Sequence, residues 1–286
     1  MANLSLNPMA TTNALGSFGV QSDGYIQGVA LDDPANRFNL AAGTVAATET
    51  KPLWGGLPVA ELLPGTSSSP RGSFIRRAVS VAELEGFTVF NQAHNGLTTP
   101  QSPVPLYASG MSVSYYRLGS NMRVPLKASA QVVALGTSGA SVKTPLAWDF
   151  VNNQITTAAA AGFAGADIAT TDVTYTAGVA TATTASAHGL TAGQYVKISG
   201  VAPAAYNGTV VVLSVPSSTT FTYAPATAPG GAATTQGNIG AVTLSDITLP
   251  VKVIAIESGN SKTVSYDNAT GFLTWNNTDS CALVLL

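Results

Sequence analysis

Charge is scarce in this chain. Its 286 residues carry 12 Lys and Arg, 14 Asp and Glu and 2 His, so charged side chains make up 9%, against roughly 25% in an ordinary soluble domain. Acid/base catalysis and metal binding both draw on this pool. A net charge of −2 creates no field that would attract phosphate backbones, and nucleic acid is not expected as a partner. The single cysteine, Cys281, lies in the apolar run Cys281–Leu286, so a disulfide framework within one chain is excluded. No stretch approaches the roughly 18 uninterrupted apolar residues of a membrane span. The first residues lack the basic start and apolar run of a secretion signal, and the expected compartment of synthesis is the cytoplasm.

Nucleophile and phosphate motifs are missing as well. The chain has no Gly-x-Ser-x-Gly elbow, no Gly-x-x-x-x-Gly-Lys-Ser/Thr loop and no Gly-x-Gly-x-x-Gly turn, the arrangements that place a reactive serine or cradle a phosphate. His94 and His188 stand 94 positions apart with no clustered cysteine or carboxylate, so a zinc site is not expected. Both read as turn residues. Asp32-Asp33-Pro34 reads as a turn start rather than part of a calcium loop. Glu83 and Glu85 would share one face of a strand but have no further acid nearby, and they read as a solvated edge rather than a glycosidase pair. We therefore expect no enzyme, no metal and no cofactor.

What is present is apolar residue at 45%, 28 Gly, 16 Pro and a polar complement dominated by Thr, Ser, Asn and Gln. Residues 1–75 show no sustained period and are punctuated by Gly and Pro, which predicts an extended arm with short strands at most. Apolar side chains spaced along it, above all Tyr25, Phe38, Trp54 and Leu57, are the expected docking anchors. Packing against the protein's own core is the competing fate for the same residues. Arg71, Arg76 and Arg77 are the densest positive cluster and the candidate ion-pairing patch, with a solvated rim as the plainer alternative.

From Phe74 onward, short β-like runs separated by turns predict an all-β body, a sandwich or jelly-roll-like fold. The runs include Phe87–Phe90, Val113–Tyr116 and Ala130–Leu135, with one helical turn expected near Ser80–Glu85. Residues 158–166 read as a small-residue linker. Between Ile168 and Gly240 the only charged side chains are Asp172 and Lys197. That stretch predicts strands near 173–176, 179–183, 195–199, 208–214 and 220–223, with Ala177-Gly178 as a tight hairpin turn. The expected organisation is an arm (1–75), a β body (76–166 plus 241–286) and a small β-barrel or sandwich module inserted into it (167–240).

The segment Lys51-Pro-Leu-Trp-Gly-Gly-Leu-Pro-Val-Ala-Glu-Leu-Leu-Pro-Gly65, followed by a β body, resembles the head decoration or cement proteins of tailed bacteriophages. The stretch Ala187–Thr209, with its Tyr206-Asn-Gly208 turn, together with Thr220-Phe-Thr-Tyr223, is similar to a β module that recurs in phage virion proteins. The resemblance implies a non-enzymatic structural protein on the outer capsid surface of a virion. Its implied partners are the major capsid protein and further copies of itself, as a dimer or trimer. The alternative expectation is a tail or head-fibre adhesion protein binding host glycans, for which Tyr195, Tyr206, Tyr223 and Asp172 are the candidate residues.

Overall fold

The computed structural model describes residues 24–30, 39–63, 73–90, 104–267 and 270–286. The protein is all-β, 49% strand and 10% helix, and contains two small closed barrels. It divides into two compact units, one comprising residues 1–144 and 250–286, the other 145–249.

The first unit is built around a five-stranded closed barrel. Its strands are β1 (Leu40–Val45), β2 (Pro58–Leu62), β3 (Phe74–Arg77), β4 (Gly86–Val89) and β5 (Ser112–Arg117), in the order β1-β3-β2-β4-β5. β5 closes on β1 antiparallel, from Leu40 opposite Tyr116 to Thr44 opposite Ser112. β1 and β3 run parallel. β1, β2 and the first half of β3 fall in the stretch expected to be an arm with short strands at most, so from residue 40 onward that expectation is corrected. The strands are too short for a period to show. Between β1 and β2 the chain turns at Gly55-Gly56, where Gly56 sits at φ +81°, a backbone geometry that strains any residue with a Cβ. Residues 1–23 lie outside the described residues.

A second layer follows in the same unit, a three-stranded sheet in the order β15-β16-β6. Here β6 is Arg123–Lys127, while β15 (Lys252–Tyr266) and β16 (Leu273–Leu285) form a long hairpin. Residues 24–30 act as a strap between sheet and barrel. Lys262 N donates to Tyr25 O (2.8 Å), Gln27 N to Lys262 O (2.8 Å), Gly28 N to Pro125 O (2.8 Å) and Phe90 N to Gly28 O (2.6 Å). One core joins the layers, with Ile26, Val29, Trp54, Leu57, Phe90, Tyr115 and Val264 among its buried members.

Ala130–Leu135, expected as a strand, is instead the start of an α-helix, α1 (Ala130–Ser138). Ser129 caps its first turn by accepting from Val132 N, and Gly139 ends it in the left-handed region at φ +64°. Val81–Glu83 forms a single 3₁₀ turn, where one helical turn was expected.

The second unit opens with a hairpin, β7 (Leu146–Asp149) and β8 (Gln154–Thr157), and one helical turn at Ala158–Ala161. A six-stranded closed barrel follows, in the order β10-β13-β12-β11-β14-β9. Its strands are β9 (Ile168–Thr176), β10 (Val179–Thr184), β11 (Tyr195–Ser199), β12 (Gly208–Ser217), β13 (Thr220–Tyr223) and β14 (Asn238–Gly240). The inserted unit is therefore longer at both ends than the expected 167–240: the β7–β8 hairpin precedes the barrel, and the chain after β14 returns to it, Leu249 bridging Leu146. Ala177 (φ 50°) and Gly178 (φ 88°) make the β9–β10 turn with positive φ at both positions, as type I′ hairpins require. The barrel core includes Val173, Val196, Ile198, Tyr206, Val212, Phe221, Tyr223 and Ile239.

Candidate functional site

Trp54 and Leu57 do not face outward. They are 1% and 0% exposed and belong to the core of the first unit, so as folded they offer a partner no surface. The Trp54 ring packs against Tyr266 with centroids 5.7 Å apart, and the Leu57 backbone N–H donates to Thr88 Oγ1 at 2.9 Å. Tyr25 is half-buried in the strap, where its backbone N–H donates to Ser261 Oγ (3.1 Å). Burial and the nearby Glu257 raise its phenol above the ordinary value. Phe38 lies outside the described residues.

Two members of the expected basic patch, Arg76 and Arg77, are engaged within the fold. Arg76 forms a two-pronged ion pair with Glu83, Nη1 donating to Oε1 at 3.2 Å and Nη2 to Oε2. Arg77 is held against the core, with Nη2 donating to Pro52 O at 2.8 Å and the guanidinium carbon 4.8 Å from the Trp54 ring centre. Removal from water lowers its pKa. Arg71 lies outside the described residues. Glu83, bound to Arg76, does not stand beside Glu85 as one of two free carboxylates.

Two further charge clusters are formed by residues distant in sequence, and no local spacing announces them. Glu61 at the end of β2 accepts from Arg117 Nε (2.6 Å), Arg117 Nη2 (3.1 Å) and the Tyr115 hydroxyl. The Arg117 hydrogen bonds hold the Glu61 carboxyl below its ordinary range, and burial with the adjacent carboxylate raises the Tyr115 phenol. On the three-stranded sheet, Lys127 Nζ lies 3.3 Å from Asp279 Oδ2, which also accepts from Thr263 Oγ1.

In the second unit Tyr195, Tyr206 and Tyr223 point inward at 2%, 0% and 0% exposure. They are core residues and make no outward platform for a sugar ring. Tyr195 donates to Trp148 O (2.5 Å), Tyr206 to Gly231 O and Tyr223 to Tyr206 O (3.3 Å). Asp172 remains exposed on β9. His188 is buried, its Nδ1 accepting from Leu190 N (3.0 Å) and its ring edge-on to Phe221 at 5.5 Å, which fits its reading as a turn residue. His94, Asp32 and Asp33 lie outside the described residues.

Among the described residues, no group of three or more His, Cys, Asp and Glu side chains could hold a metal ion, and no helix is long and apolar enough to cross a membrane. Leu63 (92%), Phe272 (71%), Val79 (58%) and Val142 (52%) are large apolar side chains open to solvent. No family model, curated protein or solved structure matches the chain.

Proposed function

We propose that this is a structural virion protein that binds the outside of a tailed-phage head and bridges neighbouring capsomers against the outward load of packaged DNA. The observation that carries this reading is the disposition of charge in the first unit. Arg76, Arg117 and Lys127 are paired with Glu83, Glu61 and Asp279, while Leu63, Val79 and Phe272 stand exposed. The centres of protein–protein interfaces are likewise depleted of charge and rich in apolar groups. Such a surface sheds water onto a partner at low desolvation cost, and a stable contact of standard size buries roughly 1,600 Å² in total. The resemblance of the Lys51–Gly65 segment and of the Ala187–Thr209 module to phage virion proteins supports the same reading and names the major capsid protein as the partner.

The test is co-sedimentation of the purified protein with undecorated phage heads, using the intact chain and a variant lacking residues 1–23. That deletion leaves every described strand in place. Saturable binding at a fixed number of copies per head supports the proposal, and weaker binding of the deleted form assigns part of the contact to the first 23 residues. Failure of the intact chain to bind any head overturns it.

A further inference from the structure

Both barrels are closed, so neither exposes a strand edge. The three-stranded sheet does. β15 is its outer strand, and over Lys252–Asn260 its backbone bonds, among the described residues, only to β16, with the strap's Gly24 packed beside Glu257 and Asn260 at the far end and Lys252–Ile256 left open. Farther along, the same edge already accepts a strand in parallel, at Lys262, where the strap residues Tyr25 and Gln27 dock. The open stretch carries Val253, Ile254, Ala255 and Ile256, none fully buried, with Ile254 at 42% exposure. Strand edges of this kind are templates for pairing, and proteins ordinarily blunt them with proline, charge or a covering element.

The register with β16 shows what fits here. Lys252, Val253, Ala255, Ile256 and Glu257 face Leu285, Val284, Leu283, Ala282 and Cys281, and Ile254 is the extra residue of a bulge. The segment therefore has five rungs. Because side chains alternate along β16, the bulge brings Lys252, Ala255 and Glu257 onto one face and Val253 and Ile256 onto the other. The five rungs are symmetric about Ala255. Reversed and laid against itself, the segment places Ala255 opposite Ala255, Val253 opposite Ile256 and Lys252 opposite Glu257. Every apolar residue meets an apolar residue, and the only two charges in the segment, one at each end, meet their opposites on the same face.

We propose that Lys252–Glu257 of β15 is a dimerisation edge, pairing antiparallel with the same segment of a second copy about a two-fold axis at Ala255. The interface is isologous, as in most homodimers, and extends each three-stranded sheet into a six-stranded one. A parallel arrangement would set Lys252 beside Lys252 and Glu257 beside Glu257. The second copy is thus the occupant that the charge order of the edge itself selects. The inference is independent of head binding, since it is read in solution with no heads present.

Charge reversal and cross-linking test it together. Analytical ultracentrifugation of the intact protein is expected to show a concentration-dependent dimer. Lys252→Glu and Glu257→Lys each replace two attractive cross-strand contacts per dimer with repulsive ones and weaken association roughly tenfold. The double variant, carrying both changes, restores it. Ala255→Cys places two thiols on the axis, where cross-strand Cα atoms lie about 4.5–5.5 Å apart, inside the roughly 4.4–6.8 Å that a disulfide spans. Mild oxidation is expected to link that variant into a dimer, with the buried Cys281 of the parent giving no such band. Circular dichroism melts confirm that each variant is folded. If the Cys variant alone misfolds, the charge-swap series still decides the question. A parent that is monomeric at every concentration overturns the proposal. So does a dimer indifferent to both single reversals, which would place the interface elsewhere or the edge under residues 1–23 of the same chain.

Discussion

The backbone N–H of Leu249 donates to the carbonyl of Leu146 at 2.8 Å, and the two residues form an antiparallel bridge. The inserted unit therefore leaves the chain where it entered, through a mouth one hydrogen bond wide. Pro145 and Pro250 flank the bridge on either side.

Such a mouth makes the insertion removable. A chain in which residues 145–249 are replaced by a short Gly-Ser linker is expected to keep the β-rich circular dichroism and cooperative melt of the first unit, and residues 145–249 alone are expected to fold. Loss of cooperative melting in both pieces would show that the two cores depend on each other.

Trp54 and Leu57 distinguish core from contact. Since both are buried, Trp54→Ala is expected to cost about 3–5 kcal/mol and Leu57→Ala about 2–5 kcal/mol in unfolding free energy, measured by denaturant titration. A docking residue on an exposed arm would leave stability unchanged and alter only binding.

Burial pushes the Cys281 thiol up to about 12 from its ordinary 9.0. The folded protein is expected to resist thiol reagents at pH 8 and to react fully once denatured. The unfolded thiol ionises first as pH rises, so its contribution to stability is intact below 9 and lost between 9 and 12. Tyr115 and Tyr223, also raised by burial, act in the same direction. Urea midpoints measured across that range are expected to fall.

Glu61 responds to acid instead. Arg117 holds its carboxyl below the ordinary 4.5, so its contribution is present above that value and lost as pH falls through the lower, folded one. Arg117→Leu is expected to move the Glu61 titration upward, read by NMR of the carboxyl carbon, and to bring acid unfolding to a higher pH.

Gly237 sits where the second barrel closes. A Cβ there would lie 2.0 Å from Ser199 O and 2.7 Å from Val201 N, both backbone atoms that cannot rotate away. Gly237→Ala is expected to destabilise the isolated 145–249 unit by about 1–3 kcal/mol or more, while Gly231→Ala, with nothing within 4 Å, is expected to be nearly silent.

The strands of the second barrel were the most legible part of the sequence. Val173–Thr176, Val179–Thr183 and Thr220–Tyr223 alternate inward and outward residues between clear turns, and Ala177-Gly178 announces its hairpin. In the first barrel the runs Phe87–Phe90 and Val113–Tyr116 mark β4 and β5, whereas β1, β2 and β3, four to six residues long and set among frequent Gly and Pro, are too short to stand out from an arm. α1 was misread because Ala-Gln-Val-Val-Ala-Leu is a short apolar run that fits either period. The cap residues Ser129 and Gly139 on either side were the usable signal. The Glu61–Arg117 pair, 56 positions apart, left no local trace, since only the closing of the barrel brings it together.

The hairpin partner β16 ends at Leu285 and pairs with both β6 and β15. During synthesis the first unit therefore cannot complete its sheet until the chain has been made through Leu285. The inserted unit is complete once Leu249 has left the ribosome. The unit that begins second in the chain is thus the first to have all of its residues, while β6, made before it, waits beside the first barrel for the hairpin that completes its sheet.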